Sequence, residues 1–169
     1  MATKRPIKGI DKVLMFRKYE PTAPAEAGRL ALQTSHTISE SRDSSTTATK
    51  DGGIADRGAL TTTIPIEAIA SRDEVNIMLH ASVKEDFLLE VWEIDFGADP
   101  VTEGEVTKYP ARYGRGYLDS WESPASVDGH VTISTTFTVE GELVDGLATV
   151  SDQQIDELNT AFRDVVAQV

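Results

Sequence analysis

A strict alternation of apolar and polar side chains recurs along this chain and restricts its fold more than any other feature. The clearest case is HVTISTTFTVEG, residues 130–141, in which Val131, Ile133, Phe137 and Val139 fall on one face. Successive side chains of a β-strand point to opposite faces of a sheet, so this pattern predicts a strand with one buried face.

Similar patterns predict further strands. They cover residues 9–19, 29–39, 58–69, 87–96, 110–121 and 142–150, and the last is expected to pair back on 130–141. In 29–39 the shared face would hold Leu30, Leu32 and Ile38. Pro65 cannot donate to a sheet ladder, so it is expected at an edge or a strand end. Gly114 and Gly116 indicate a bulge or a close approach of another backbone.

Two segments change to helical spacing. Residues 72–85 read as an amphipathic helix opened by a capping box from Ser71 to Glu74, and Ser151 opens a second helix that runs to the end. The predicted fold class is therefore mainly β. We expect a β-sandwich or barrel of two antiparallel sheets, flanked by one central helix and a C-terminal helix, in a single domain over 1–169.

A long polar stretch, TISESRDSSTTATKDGG, occupies residues 37–53 between two alternating strands. A linker between two domains is one interpretation, but no second core is evident. The position between strands favours a long polar hairpin loop over 39–57. Loops of this length in a compact domain are uncommon, and they are usually functional or disordered.

The charge is unevenly distributed. The net charge is −12, while residues 1–29 carry seven Lys or Arg against three Asp or Glu. The acidic remainder disfavours binding to nucleic acid backbones. Residues 1–20 form a basic N-terminal arm or strand that is a candidate for contact with an acidic neighbour. The chain contains no cysteine and no apolar run of about 18 residues, so no thiol chemistry and no membrane span are expected.

The sequence carries no recognised catalytic or metal-binding pattern. The three histidines, His36, His80 and His130, lack neighbours at metal-ligand spacing and are interpreted as packed or surface residues. The acids between Glu93 and Glu105 read as a solvated loop rather than a calcium site. No nucleophile–base pair is evident, so we expect no enzyme, no cofactor and no metal.

The order of segments resembles the major tail protein of long-tailed, non-contractile phages. The similarity lies in GIDKVLMFRKYE (9–20), LALQTSHTISESRDSSTTATKDGG (30–53), DEVNIMLHASVKEDFLLEVWEIDF (73–96) and VEGELVDGLATVSDQQI (139–155). The resemblance implies a β-sandwich that assembles into hexameric rings. These rings stack into a tail tube, and DNA passes through the lumen to the host without specific binding. The chain stops after the predicted helix, so no appended surface domain is expected.

The resemblance also implies contacts and partners. The hairpin would reach the adjacent ring through Ser41, Arg42, Asp43, Thr49, Lys50, Asp51 and Gly52. The arm would contact neighbours through Lys4, Arg5, Lys8 and Lys12. The partners would be further copies of the protein, the tape measure protein, the tail-tip or baseplate proteins and the tail terminator protein. No contact with a membrane is implied. The protein would assemble in the host cytoplasm and reside in the virion.

Two alternatives remain open at this stage. One is a tube protein of a contractile tail or a type VI-like secretion system, which has the same architecture. The other is a monomeric β-sandwich module for carbohydrate, with Trp92, Tyr113, Tyr117 and Trp121 stacking on sugars. Packing in the core or an interface is the simpler role for the two tryptophans.

Overall fold

The structure is a computed structural model that describes residues 5–22 and 25–150. The helix predicted after Ser151 lies outside these residues, as does Lys4. In the described part, no helix is long and apolar enough to span a membrane.

Strands dominate the described chain, which confirms the mainly β class. A single 3-10 turn, Gly9–Asp11, precedes the first strand, and one α-helix, α1 (Glu74–Glu85), lies mid-chain. The strands are β1 (Lys12–Lys18), β2 (Gly28–Arg29), β3 (Gln33–His36), β4 (Ser39–Thr49), β5 (Gly52–Ile69), β6 (Leu89–Asp95), β7 (Val101–Glu103), β8 (Val106–Leu118), β9 (Thr132–Val139) and β10 (Val144–Thr149).

One continuous hydrogen-bonded path joins strands that were expected to form two sheets. Its order is β2-β1-β6-β8-β9-β5-β3, while β4 pairs with β5 and both β7 and β10 pair with β8. The path curls until its ends meet. The side-chain amide of Gln33 in β3 accepts from the Leu14 N–H (3.1 Å) and donates to the Leu14 carbonyl (2.9 Å) in β1. A side chain of the end strand β3 therefore joins β1, the second strand from the other end, where a closed barrel would have a backbone ladder.

The main core lies inside this curl. Phe16 of β1 faces Phe137 of β9 with ring centroids 6.1 Å apart, and both are buried. Helix α1 covers one side through buried Leu79. The other core residues are Leu14, Leu30, Ile64, Ile66, Ala68, Leu89, Val91, Leu118 and Val139.

Helix α1 begins at Glu74, two residues later than predicted, and the proposed capping box is wrong. Asp73 is the N-cap, because its Oδ1 accepts from the Asn76 N–H at 2.8 Å. The Ser71 hydroxyl instead donates to Asp73 Oδ2 at 2.5 Å. A carboxylate is at least as good an N-cap as a hydroxyl, and its charge favours the helix N-terminus.

The strand predicted over 29–39 is interrupted. Gly28 and Arg29 pair with β1, whereas Gln33–His36 pair with β5 at the other end of the path. The chain crosses between them at Leu32, which has φ 54° and is 55% exposed. The crossing therefore separates Leu32 from buried Leu30, although their spacing placed them on one face.

Pro65 lies inside β5, opposite the break between β3 and β4. The Thr37 N–H donates to the Pro65 carbonyl at 3.0 Å. The N–H of a strand residue points to the same side as its carbonyl, so the missing proline N–H removes the return bond. The interruption between β3 and β4 coincides with this missing donor.

The pairing predicted for residues 142–150 is wrong, since β10 pairs with β8 and not with β9. Strand β9 already has β5 on one side and β8 on the other, so it offers no edge. The chain bends at Gly141, which has φ 84°, and β10 continues along β8 beyond the end of β9.

Candidate assembly site

The polar stretch forms a two-stranded β-ribbon. We define the ribbon as residues 44–57, the part of β4 and β5 that is paired beyond a bulge between Arg42 and Ser44. Lys50 and Asp51 make its turn. Gly52 follows at φ 121°, a conformation that other residues rarely adopt. The segment predicted as a loop is thus regular β-structure almost to its tip.

Neither face of the ribbon is buried. Every residue of β4 is exposed, and β5 stays exposed from Gly52 to Ala59. At about 3.4 Å per residue, the ribbon extends roughly 20 Å from Ser44 to its turn. A two-stranded hairpin alone is marginally stable in water, because it buries too little apolar area. Contact with another molecule would supply that burial.

Few side-chain interactions hold the ribbon. The Thr47 hydroxyl donates to Asp56 at 3.2 Å, and the Thr49 hydroxyl donates to the Gly52 carbonyl at 2.5 Å. At the base, Arg42 donates to the Gly58 carbonyl at 3.1 Å and lies 3.5 Å from Glu142. Exposed polar contacts of this kind contribute about 0–1 kcal/mol each.

The predicted contact residues fall into two groups at opposite ends of the ribbon. Ser41, Arg42 and Asp43 lie at its base, whereas Thr49–Gly52 form its tip. The structure does not bring the two groups together. Sequence analysis missed Ile54, which pairs with Thr47 halfway along the ribbon and is 57% exposed. The signal was an isolated Ile within a polar run.

The predicted arm residues also differ among themselves. Arg5 and Lys8 are exposed. Lys12 lies in β1, where its ammonium group is 3.4 Å from Asp95 and 3.7 Å from Glu93. Its charge is therefore compensated within the subunit, which makes Arg5 and Lys8 the better candidates for an external contact.

Glu93 is the centre of a half-buried ionic cluster. His36 Nε2 lies 2.6 Å from Glu93 Oε2, and this contact links β3 to β6. Burial raises the pKa of the Glu93 carboxyl, but the His36 hydrogen bond and the charges of His36, Lys12 and Arg112 bring it below 4.5. Among the residues described, no group of three or more His, Asp or Glu is arranged to hold a metal. The cluster is therefore interpreted as structural.

The four aromatics considered for sugar stacking do not share one platform. Trp92 packs against Tyr113 at 5.2 Å, with the Arg17 guanidinium 4.9 Å from the Trp92 ring centre. Trp121 stacks on His80 of α1 at 5.0 Å, in a different hydrophobic cluster. Both tryptophan rings thus already have partners within the chain.

Comparison with known proteins gives a consistent result. A family model described as phage tail tube protein matches residues 6–145. A protein of Staphylococcus phage phiMR25 assigned to the tail is 25% identical over 155 residues, which are 90% of this chain and 79% of that protein. The tail tube protein of Bacillus phage SPP1 is 26% identical over 142 residues, which are 83% of this chain and 52% of that protein.

Solved structures agree in fold. The SPP1 tail tube aligns with TM-score 0.68 and 20% identity, covering 90% of this chain and 84% of that one. The tail of a gene transfer agent particle aligns with TM-score 0.61 and 12% identity, covering 82% and 98%. The anti-feeding prophage baseplate aligns with TM-score 0.57 and 8% identity, covering 86% and 97%. With the family model spanning most of its length, this chain belongs to the phage tail tube protein family.

Proposed function

We propose that the protein assembles into hexameric rings, that the rings stack into the tube of a phage tail, and that DNA passes through this tube into the host. The observation that carries the proposal is the ribbon, whose two faces are exposed and have no packing partner among residues 5–22 and 25–150. Two of the solved structures with this fold come from assemblies described with six-fold symmetry. These support a ring of six here.

The ribbon is the proposed contact with the adjacent ring. Thr49, Lys50, Asp51 and Gly52 at the tip would reach furthest, and Ile54 would supply the main apolar contact. The base residues Ser41, Arg42 and Asp43 would lie nearer the subunit's own ring. Because a two-stranded hairpin is only marginally stable alone, fixing the ribbon on assembly costs on the order of 1–2 kcal/mol for each residue that is not already ordered, which opposes premature polymerisation.

The basic arm is the proposed second contact. Arg5 and Lys8 are exposed on a protein whose net charge is −12, so acidic surface of a neighbouring copy is their natural partner. Exposed charge pairs are screened over about 10 Å at 0.1 M salt. Assembly should therefore weaken with salt, and Arg5→Ala with Lys8→Ala should reduce that dependence. Salt-independent assembly of both proteins would contradict this contact.

The negative net charge of the protein also suits a tube through which DNA passes. Six copies of an acidic subunit would give the lumen few positive groups with which to retain a polyanion, so DNA could pass without specific binding. The proposed partners are further copies, the tape measure, the tail-tip or baseplate and the tail terminator. Assembly is proposed to take place in the host cytoplasm before incorporation into the virion.

The first test is negative-stain electron microscopy with light scattering at rising protein concentration, with and without tail-tip components. We expect rings and stacked tubes with a central channel. Ile54→Asp should abolish stacking. Val127→Asp is the matched control, because Val127 is fully exposed in the loop between β8 and β9 and its substitution should leave stacking intact. A monomer that never assembles and instead binds glycans would overturn the proposal in favour of the carbohydrate module.

A second test follows the ribbon alone. Hydrogen exchange over residues 39–57 should be fast in the free subunit and strongly slowed in the tube, because assembly would bury backbone that is exposed in the subunit. Residues 137–139 of β9 serve as an internal control, since they are paired with β5 on one side and β8 on the other. Equal protection of 39–57 in both states would exclude the ribbon as the inter-ring contact.

A further inference from the structure

The two faces of the ribbon differ in their chemistry. Side chains alternate along a strand and cross-strand partners share a face, so Ile54 lies on the same face as its partner Thr47 and as Asp56. Ile54 is the only large apolar residue of the ribbon. We define the knob as Ile54, Thr47 and Asp56. The opposite face carries Ser44, Thr46, Ala48, Gly53, Ala55 and Arg57.

A groove opens between helix α1 and the segment that follows β8. Ile77, Ala81 and Lys84 recur every three or four positions, so they share one face of the helix and form one wall. Trp121 lines the groove from the other side, and Ile133 of β9 lines it next to the core. We define the groove as these five residues. Its volume is about 520 Å³, which is room for more than one side chain.

The knob and the groove are complementary in polarity and charge. Ile77 is 63% exposed and Lys84 is also exposed, so the groove presents an apolar surface beside a cation. Lys84 carries the only permanent charge among the described residues that line it. The knob presents exposed Ile54 beside the Asp56 carboxylate. Within residues 5–22 and 25–150, neither Lys84 nor Asp56 forms an ion pair.

The knob and the groove lie at opposite ends of β5. Ile54 is near the start of the strand, whereas Ala68 near its end pairs with Ile133 of the groove. Ala70, just beyond the strand, also lines the groove. From Ile54 to Ala68, at about 3.4 Å per residue, the strand runs roughly 50 Å. Both faces of the ribbon are exposed, so the knob does not contact the groove of its own subunit.

We propose that the knob of one copy inserts into the groove of a copy in the adjacent ring, so that Ile54 packs between Ile77 and Trp121 and Asp56 pairs with Lys84. This inference rests on the proposed function and names the surface that receives the ribbon. The two contacting surfaces differ, so the contact is heterologous. Because they lie at opposite ends of one strand, every stack keeps free knobs at one end and free grooves at the other, and it can grow by repetition of one contact.

Reversal of charge tests the pairing of Asp56 with Lys84. Asp56→Lys and Lys84→Glu should each raise the protein concentration needed for tubes at least tenfold, because like charges would then face each other. The two substitutions together should restore wild-type assembly. Glu105→Lys with Lys84→Glu is the matched control. It makes the same change in charge, but Glu105 is exposed in the turn between β7 and β8, so it should not restore assembly.

Wild-type protein, assayed alongside with tail-tip components present, separates this inference from the proposed function. Wild-type tubes together with unchanged assembly of both single variants would overturn the knob-and-groove contact and leave the proposed tube intact. Failure of the double variant to restore assembly would also overturn the contact. Absence of tubes from the wild-type protein would overturn the proposed function and this contact with it.

A cross-link between copies locates the contact directly. The protein has no cysteine, so a Thr47→Cys protein mixed with an Ala81→Cys protein can form disulfides only at these positions. Oxidation of the mixture should give dimers that contain one of each, whereas each protein alone should stay monomeric on a non-reducing gel. Thr46→Cys, on the opposite face of the ribbon, is the matched control and should not react with Ala81→Cys. Equal yields from Thr46→Cys and Thr47→Cys, or no dimer from either, would overturn the proposal.

Discussion

Strand β1 buries both of its faces, whereas strand β4 buries neither. Val13, Leu14, Met15 and Phe16 are all at most 6% exposed. All eleven residues of β4 are exposed, although its backbone is paired with β5 along nearly its whole length. Hydrogen-bonded pairing alone therefore does not distinguish the two strands. The difference lies in what packs on their faces, and burial of apolar area dominates folding stability.

Strand β5 contains both situations in one element. From Gly52 to Ala59 it is exposed, and from Thr62 to Ala68 every second residue is buried. Threonine occurs in both the buried and the exposed part: Thr62 is 1% exposed, while Thr46 of the paired strand β4 is exposed. The inner half has β9 beside it and the core beneath, and the ribbon has neither. The same local preference for β-structure thus serves folding at one end and, in our proposal, assembly at the other.

The largest effect should come from the core. Phe16→Ala should lower the free energy of unfolding by about 3–5 kcal/mol, because it leaves a cavity beside Phe137. Ile54→Ala on the ribbon should change it by no more than about 0.5 kcal/mol, as is usual for exposed positions. Urea denaturation of both variants measures the contrast, and similar losses would show that the ribbon is part of the folding unit.

A smaller effect should follow from a glycine between two strands. A Cβ on Gly116 would lie 1.9 Å from the Thr138 carbonyl oxygen, which confirms the close approach predicted from the sequence. Gly116→Ala should therefore cost about 3 kcal/mol through separation of β8 and β9. Gly146→Ala is the matched control, because its Cβ would meet no atom within 4 Å. Equal unfolding midpoints for the two variants would contradict this packing.

The junction at which Gln33 of β3 bonds to Leu14 of β1, here called the seam, should contribute an intermediate amount to stability. Gln33→Ala removes both bonds to Leu14 and leaves the buried Leu14 N–H unpaired, while the Leu14 carbonyl keeps the bond from the Leu30 N–H, so we expect a loss of about 1–3 kcal/mol. Thr47→Ala removes one exposed bond on the ribbon and should cost much less. Thermal unfolding compares them. An unchanged Gln33→Ala melting temperature would mean that the seam does not contribute to stability.

The smallest effect should be a pH dependence at Glu93. Its folded pKa lies below its unfolded value, so the stabilisation is present above about pH 4.5 and is lost as the pH falls through the folded pKa. Glu93→Gln should destabilise the protein at pH 6, and the difference from wild type should shrink towards pH 3. Glu142→Gln at the ribbon base is the control, since its carboxylate is 64% exposed, and it should show no such trend. A constant difference for Glu93→Gln would contradict the ionic role.

Much of this arrangement could be predicted from residues near one another in sequence. Alternation correctly indicated the buried face of β9 and the inner half of β5, and helical spacing indicated α1 to within two residues of its start. These features follow from side-chain direction, which local backbone geometry sets. The polar character of 39–57 likewise identified the candidate site, but not its β-structure or the exposed Ile54.

The remaining features depend on residues far apart in the chain. Strand β10 pairs with β8 because both edges of β9 are already occupied. The segment 29–39 is split into two strands because it connects the two ends of one sheet path. The seam at Gln33 and the pairing of Lys12 with Asp95 have the same origin. Sequence by itself determined most of the core strands, the helix and the polar character of the ribbon, because those preferences are local. Only the tertiary structure decided which strands became neighbours and which charges were compensated, since edges and partners exist only after the sheet has curled.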